Sequence, residues 1–222
     1  MKDFKLSRNV PVVKGETALL LIDTQNYTMP GGGEYAGMDP EVVLEKYGYF
    51  FDEMETRGIP NMQRLQAACR GAGIEVMFTV IESLTQDGRD MGLDYKISGL
   101  FCPKGSRDGQ VLDALKPLPD EIVIPKTSSS VFISTNIDYV LRNLGVRYLI
   151  IVGALTDQCV DSAVRDACDL GYLVTLPTDA CVTQSAERHA TSLANNRGYC
   201  RQVTTADLVA EIEGLGWRDL RL

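Results

Sequence analysis

The chain has a single histidine, His189, among its 222 residues, and this scarcity excludes several kinds of active site. A Ser–His or Cys–His hydrolase would have to use this one residue, and zinc sites usually need several His or Cys ligands. His189 follows Ser185-Ala186-Glu187-Arg188, a pattern typical of an amphipathic helix. We therefore expect a surface or structural histidine, no metal and no other cofactor.

The sequence also lacks the features of membrane, nucleic-acid-binding and secreted proteins. The net charge is −8 without a basic block, so nucleic acid and anionic membranes are poor partners. No stretch approaches the roughly 18 apolar residues of a membrane span, and residues 1–5 lack the apolar core of a signal peptide. We expect a cytoplasmic protein that acts on a small molecule.

No two cysteines form a Cys-x-x-Cys pair, which favours reduced thiols over a disulfide framework. Free cysteines are usually small buried residues, and most of these are predicted to fill the core. Cys102 is a candidate for exposure because it lies beside Pro103 in a predicted loop. The six cysteines are Cys69, Cys102, Cys159, Cys168, Cys181 and Cys200.

Strand and helix patterns alternate along the chain, which predicts a parallel sheet covered by helices on both faces. The expected fold is α/β, a Rossmann-like three-layer α/β/α sandwich with a mostly parallel six-stranded sheet in a single domain, residues 1–222. The predicted strands are Thr17–Ile22, Ile74–Val80, Glu121–Ile124, Tyr148–Val152, Leu173–Leu176 and Cys200–Val203. The predicted helices are Pro40–Arg57, Asn61–Ala72, Asn136–Leu144, Cys159–Leu170, Ala186–Arg197 and Ala206–Glu213.

Two longer segments show no clear periodicity. The first, residues 29–35, contains three consecutive glycines, and the second, residues 83–104, contains few periodic apolar residues. Long loops in a compact domain often bind ligands or cover a site. The sequence leaves open whether the second segment closes over a substrate.

Three predicted strands are followed by residues that could do chemistry together. Asp23 and Lys126 end two strands, and Cys159 follows a third after a short turn. The carboxyl ends of parallel strands share one edge of the sheet, where α/β folds build their sites. Each residue alone has a common alternative explanation, namely a solvated loop charge or a small buried cysteine. The three together favour a site.

Cys159 is predicted to begin a helix, because Val160, Ala163, Val164 and Ala167 recur at helical spacing after it. Free N–H groups and the helix dipole at this position favour a thiolate. We therefore expect a nucleophile with a lowered pKa. Without a suitable histidine, an aspartate and a lysine are the plausible activators.

Three ordered motifs resemble those of the isochorismatase-like cysteine hydrolases over roughly residues 15–213. The resemblance is to the branch of ureidoacrylate, biuret and N-carbamoylsarcosine amidohydrolases, and it departs from nicotinamidases, whose metal site needs two histidines. The motifs are Leu20-Leu21-Ile22-Asp23-Thr24-Gln25-Asn26, Pro125-Lys126 with Ser130-Val131-Phe132 and Thr135, and Gly153-Ala154-Leu155-Thr156-Asp157-Gln158-Cys159-Val160.

The resemblance implies a catalytic triad of Asp23, Lys126 and Cys159. It also implies an oxyanion hole made by the backbone N–H groups of Leu155 and Cys159, and a cis peptide bond between Ala154 and Leu155. Members of the family are commonly oligomers, so a homodimer or homotetramer is expected.

Five further residues are candidates for contact with the substrate. Gln25 and Asn26 follow Asp23 and could bind a ureido group, with turn stabilisation as the alternative. Tyr27 and Glu82 are specificity candidates, and Glu82 could bind a urea N–H. Arg197 could hold a substrate carboxylate, with a surface ion pair as the alternative for the charged residues.

The expected function is hydrolysis of a C–N bond in a small ureido, carbamoyl or amide compound through a thioester, with release of ammonia or an amine. Two alternatives remain. One is isochorismatase-type hydrolysis of a vinyl ether, which does not rely on the cysteine. The other is a non-catalytic binding protein on the same fold, which would be expected to lose one of the three residues.

Overall fold

A parallel β-sheet with helices on both faces forms the centre of the computed structural model, which describes residues 7–215. The strands are β1 (Thr17–Ile22), β2 (Glu75–Ile81), β3 (Ile122–Lys126), β4 (Tyr148–Ala154), β5 (Leu173–Pro177), β6 (Cys181–Val182) and β7 (Cys200–Val203). The helices are α1 (Pro40–Glu53), α2 (Ile59–Ala72), α3 (Leu93–Ser98), α4 (Val131–Ser134), α5 (Ile137–Asn143), α6 (Cys159–Asp169), α7 (Ala186–Asn196) and α8 (Thr205–Glu213). The prediction of an α/β fold is confirmed.

Within the described residues the sheet has seven strands, one more than the sequence predicted. The spatial order is β3-β2-β1-β4-β5-β7, and the additional strand β6 pairs with the end of β4. Cys181 and Val182 pair with Gly153 and Ala154. No periodic pattern in the sequence indicates β6, because two residues are too few to alternate.

The strand order reverses between β1 and β4, which are parallel neighbours. Chains of open α/β sheets leave in opposite directions at such a point and open a crevice beyond the carboxyl ends of the strands. Asp23 follows β1 directly, and Cys159 follows β4 after four residues. The topology therefore brings two of the three predicted catalytic residues to one crevice.

The faces of the sheet bury alternate residues of β1 in two separate cores. Leu19 and Leu21 pack in a core that includes Leu65 of α2 and Leu208 of α8. Ala18, Leu20 and Ile22 pack on the opposite face in a core formed with α5 and α6. A fully buried leucine contributes about 1.5 to 3 kcal/mol, so both helical layers hold β1 in place.

Several cysteine and loop predictions need correction. Cys102 is fully buried and not exposed, because the segment around it folds against Tyr27 and Met91. Cys168 is only partly buried, although it was predicted to fill the core. The segment 83–104 is not irregular throughout, since it contains α3 and is tied to the sheet by Gly92, whose N–H donates to Thr127 O at 2.9 Å.

None of the helices between residues 7 and 215 combines the length and the apolar character needed to cross a membrane.

Candidate active site

Asp23 is the residue at which the chain turns away from β1. Its φ is +52°, the one positive value at a non-glycine residue among residues 7–215, and aspartate tolerates this conformation better than most residues. The backbone N–H donates to Thr79 O at 3.0 Å, and the Thr79 hydroxyl donates to Asp23 Oδ1 at 2.9 Å. The carboxylate is thereby fixed at the sheet edge with 2% exposure.

Lys126 ends β3, which is separated from β1 by β2. Its long side chain crosses the end of β2, and Nζ lies 2.8 Å from Asp23 Oδ2. Nζ also donates to the carbonyl oxygen of Ser128 at 2.9 Å. The lysine is fully buried, so its charge depends on these partners in place of water.

Cys159 is the first residue of α6, and its Sγ lies 3.4 Å from Lys126 Nζ. The turn before it contains a cis peptide bond between Ala154 and Leu155. Gly153 is required at the start of this turn, because its φ is +122° and a Cβ there would lie 2.1 Å from Ile22 O. The three predicted catalytic side chains therefore meet at one place.

Tyr95 of α3 adds a fourth group to this cluster. Its hydroxyl accepts a hydrogen bond from Lys126 Nζ at 3.1 Å and lies 3.7 Å from Cys159 Sγ. The side chain is 2% exposed. The hydroxyl is thus placed to hold both the ammonium and the thiol in position.

The pKa of the Cys159 thiol differs from the sequence-based expectation. Burial raises the pKa of the Cys159 thiol to about 11, and the neighbouring Lys126 charge opposes this only in part. The predicted lowering of the Cys159 pKa is therefore corrected: without substrate the thiol is protonated at neutral pH. Burial alone would lower the pKa of Lys126, but the Asp23 carboxylate outweighs it and that pKa is raised. The lysine stays charged.

A cavity of about 640 Å³ opens above Cys159. Asp23, Tyr95 and the turn residues Ala154 and Leu155 contribute to its floor. The predicted aromatic helix α1 covers it in part, since Tyr47 and Phe50 line the cavity. This volume suits a small-molecule ligand. A ligand in the cavity would contact Cys159, the candidate nucleophile.

A family comparison agrees with this arrangement. The Isochorismatase domain family matches residues 17–207. The chain belongs to the isochorismatase family. The match begins at β1 and ends in α8, so it contains each strand of the described sheet.

The curated relatives of this chain include named amidohydrolases. The chain is 32% identical over 191 residues to ureidoacrylate amidohydrolase RutB of Agrobacterium fabrum (strain C58 / ATCC 33970), covering 74% of this chain and 75% of the relative. It is 33% identical over 183 residues to ureidoacrylate amidohydrolase RutB of Pseudomonas savastanoi pv. phaseolicola (strain 1448A / Race 6), covering 75% and 70%. Family membership and a hydrolase fold follow from these matches.

Solved structures share the fold. A cysteine hydrolase from Pseudomonas syringae pv. phaseolicola 1448A superimposes with a TM-score of 0.74 at 22% identity, covering 92% of this chain and 96% of that one. N-carbamoylsarcosine amidase from Thermoplasma acidophilum superimposes with a TM-score of 0.64 at 19% identity, covering 86% and 96%. At these identities the likeness establishes the fold alone.

Gln25 and Asn26 have structural contacts within the isochorismatase fold. The Gln25 amide donates to Ile81 O and Asp108 O, both at 2.9 Å, and the residue is fully buried. The Asn26 amide donates to Arg107 O at 3.0 Å. Neither is among the described residues that line the cavity, so the contacts favour the alternative of turn stabilisation.

Of the three remaining substrate-contact candidates, one lines the cavity and two do not. Tyr27 lines the cavity, and its hydroxyl accepts from Phe101 N–H at 3.1 Å. Glu82 instead accepts from Gly105 N–H at 2.6 Å, which ties down the loop beyond β2. Arg197 is exposed at the end of α7 and does not lie among the described cavity residues. The structure therefore brings Tyr27 to the cavity and leaves Glu82 and Arg197 outside it.

Tyr95, Thr79 and Glu34 were not predicted from the sequence. Tyr95 and Glu34 both lie in segments without strong periodicity, and each reaches the cavity only through the fold. The position of residues 29–35 directly after the Asp23 strand was the available signal for Glu34. His189 is half-buried, and its Nδ1 lies 3.0 Å from Thr156 Oγ1, which agrees with a structural role.

Proposed function

We propose that the protein is a cysteine amidohydrolase that cleaves a C–N bond in a small ureido, carbamoyl or amide compound. The observation that carries this proposal is the position of Lys126 Nζ, 2.8 Å from Asp23 Oδ2 and 3.4 Å from Cys159 Sγ, since both of these partners line the cavity. A buried carboxylate and a buried thiol that both contact one ammonium group supply a nucleophile with a base and a charge beside it, as nucleophilic catalysis requires. The similarity to ureidoacrylate amidohydrolases supports the same chemistry.

Attack begins from a protonated thiol in this proposal, because the Cys159 pKa is about 11. Asp23 and Cys159 both contact Lys126 Nζ, and the interaction with Asp23 favours the protonated thiol. Asp23 is therefore the base that we assign to take the proton as sulfur attacks the carbonyl carbon. Lys126 stays charged and stabilises the anionic species that form beside it. The same lysine also limits where the carboxylate and the sulfur can move.

The carbonyl oxygen becomes an oxyanion when the sulfur–carbon bond forms. Leu155 and Cys159 both line the cavity, and their backbone N–H groups are the donors that we assign to this oxygen. Preorganised donors of this kind typically contribute a factor of about 100 to 1,000 to kcat. Asp23 then passes its proton to the departing nitrogen, and ammonia or an amine leaves.

Hydrolysis of the thioester completes the cycle. A water molecule enters the position left by the amine, and Asp23 accepts its proton while oxygen attacks the thioester carbon. The carbon–sulfur bond breaks, and the thiol regains a proton. The products are a carboxylic or carbamic acid and the amine or ammonia.

The test is release of ammonia by the wild-type protein and by Cys159→Ala. The panel contains ureidoacrylate, biuret, N-carbamoylsarcosine, maleamate and nicotinamide. We expect release from at least one compound, abolished in the variant, and an acyl-enzyme adduct on Cys159 by mass spectrometry. Turnover that survives Cys159→Ala would overturn the mechanism and favour hydrolysis that does not use the cysteine.

A further inference from the structure

Glu34 contributes a second carboxylate to the cavity that Asp23 and Cys159 line. It lies in the short helical turn Gly33–Tyr35 and lines the cavity together with Tyr27, Tyr35 and Tyr47. This part of the cavity has no role in the chemistry proposed for Cys159. A substrate that fills the cavity would place its non-reacting end here.

The turn that carries Glu34 is held closely. Gly32 N–H donates to Met29 O at 2.8 Å, and a Cβ at Gly32 would lie 2.2 Å from Asn26 O. Gly33 N–H donates to the Asp108 carboxylate at 3.1 Å, and the Tyr35 hydroxyl donates to Thr28 O at 3.0 Å. The Glu34 side chain is therefore presented from a fixed backbone.

Glu34 lacks a cationic partner among the described residues that line the cavity. Burial raises the pKa of its carboxyl to about 7, and the neighbouring Tyr35 opposes this only in part. A positive charge beside the carboxylate would restore its ordinary ionisation. Binding of a cation and ionisation of Glu34 therefore favour one another.

Aromatic rings surround the same region. The rings of Tyr35 and Tyr47 are 4.9 Å apart with planes tilted by 47°. Tyr27 and Phe50 also border the cavity. Ring faces attract ammonium groups, and clusters of aromatic rings bind such ligands in proteins.

The remaining charges around the cavity also favour a cationic ligand. Lys126 is paired with Asp23, so those two charges largely cancel. Asp94 adds a further carboxylate where α3 borders the cavity. Charges of one sign around a concave site raise the local concentration of ligands with the opposite charge.

We propose that the substrate is an amide whose non-reacting end carries an ammonium group, held by Glu34 beside the rings of Tyr35 and Tyr47 while the carbonyl lies at Cys159. This proposal rests on the proposed amidohydrolase function, because it concerns the same cavity. It differs from the compound named for the curated relatives, since an acrylate is an anion.

The charge preference can be measured without turnover. Cys159 is modified with trimethylammonioethyl methanethiosulfonate and, separately, with the anionic sulfonatoethyl reagent, and the rates are followed by peptide mass spectrometry at low salt. Each rate is divided by the rate at which the same reagent modifies a small free thiol. We expect the cationic reagent to be favoured by about tenfold or more. Equal ratios or a preference for the anion would overturn the proposal.

Variants assign the preference to Glu34. Glu34→Gln removes the charge at nearly constant volume and should reduce the preference at least about threefold. Glu45→Gln is the matched control, because Glu45 is exposed on α1 and is not a described cavity residue. An unchanged preference in Glu34→Gln, or an equal reduction in both variants, would contradict the role of Glu34.

A substrate series separates this proposal from the proposed function. Hydrolysis is compared for δ-aminovaleramide, hexanamide and glutaramate, which carry a positive, no and a negative charge at the distal end. We expect kcat/KM for the ammonium compound to exceed that of the neutral one by about tenfold or more. Hydrolysis with equal or reversed preference would refute only the cation site. A cationic preference at Cys159 without hydrolysis of any amide would refute only the amidohydrolase function.

Discussion

Lys126 Nζ lies 2.8 Å from Asp23 Oδ2, although the two residues follow strands that are not neighbours in the sheet. Neither residue is more than 2% exposed. Removing both charges from water is expensive, and their attraction repays that cost only while both are present. The pair therefore ties the ends of β1 and β3 together while it positions groups for chemistry.

Removal of the lysine charge should destabilise the protein. Lys126→Met leaves the buried Asp23 carboxylate without its counter-charge, and we expect the free energy of unfolding to fall by about 3 to 5 kcal/mol. Urea denaturation followed by circular dichroism measures this. Arg89→Met is the control, because its pair with Asp87 is exposed and should contribute at most about 1 kcal/mol. Equal losses in the two variants would contradict the prediction.

Asp23→Asn should abolish hydrolysis while the protein remains folded. Asparagine tolerates the positive φ at this position and can still accept the Thr79 hydrogen bond, but it cannot take the thiol proton. We expect kcat to fall by about 100-fold to 10,000-fold. The measurement is single-turnover acylation of Cys159 alongside a circular dichroism spectrum. A folded variant with normal acylation would exclude Asp23 as the base.

Tyr95→Phe tests a positioning residue. The Tyr95 hydroxyl lowers the pKa of Cys159, so its loss should move the pH profile of Cys159 alkylation to higher pH. We also expect kcat to fall about tenfold because a hydrogen bond to the Lys126 ammonium is lost. Tyr139→Phe, at an exposed tyrosine on α5, should change neither quantity. A lower kcat with an unmoved alkylation profile would indicate a merely structural effect.

Gly153→Ala should be one of the most destabilising single substitutions in the sheet. Its Cβ would lie 2.1 Å from Ile22 O, so β1 and β4 would have to separate. We expect a loss of about 3 kcal/mol or more in the free energy of unfolding. Gly99→Ala shares a positive φ but meets no atom within 4 Å, and it should cost about 1 to 2 kcal/mol. Similar costs in thermal or urea unfolding would contradict the close approach.

Glu34→Gln should stabilise the protein more at alkaline than at acidic pH. The pKa of Glu34 rises from 4.5 to about 7 on folding, so its favourable contribution is complete below pH 4.5 and is lost as the pH rises through 7. Glutamine does not titrate. The free energy of unfolding of the variant should therefore rise relative to that of wild type between about pH 5 and about pH 8, by at most about 3 kcal/mol. Tyr27 and Tyr35, the titratable neighbours of Glu34, remain neutral over this range because burial raises their pKa values.

A difference in melting temperature that is constant across this range would contradict the burial of the Glu34 carboxyl. Glu45→Gln should show no such pH dependence, because its side chain is exposed. The same pair of variants thus serves both the stability measurement and the charge-preference measurement.

The strongly periodic elements were predictable because burial on a regular backbone leaves a pattern in the sequence. Thr17–Ile22 and Cys200–Val203 have the bounds that the sequence predicted, and the other main strands differ by one or two residues at an end. The two-residue strand β6 and the helix α3 left no such pattern. β6 is defined by its pairing with the end of β4, a contact between residues distant in the chain.

The sequence by itself determined the α/β class, the membership in a hydrolase family and the three residues Asp23, Lys126 and Cys159 as candidates. These depend on local patterns and on motifs of neighbouring residues. Only the tertiary structure decided that Gln25 and Glu82 hold loops, that Arg197 faces solvent, and that burial keeps the Cys159 thiol protonated. Side-chain direction and desolvation depend on residues distant in the chain, so no local pattern records them.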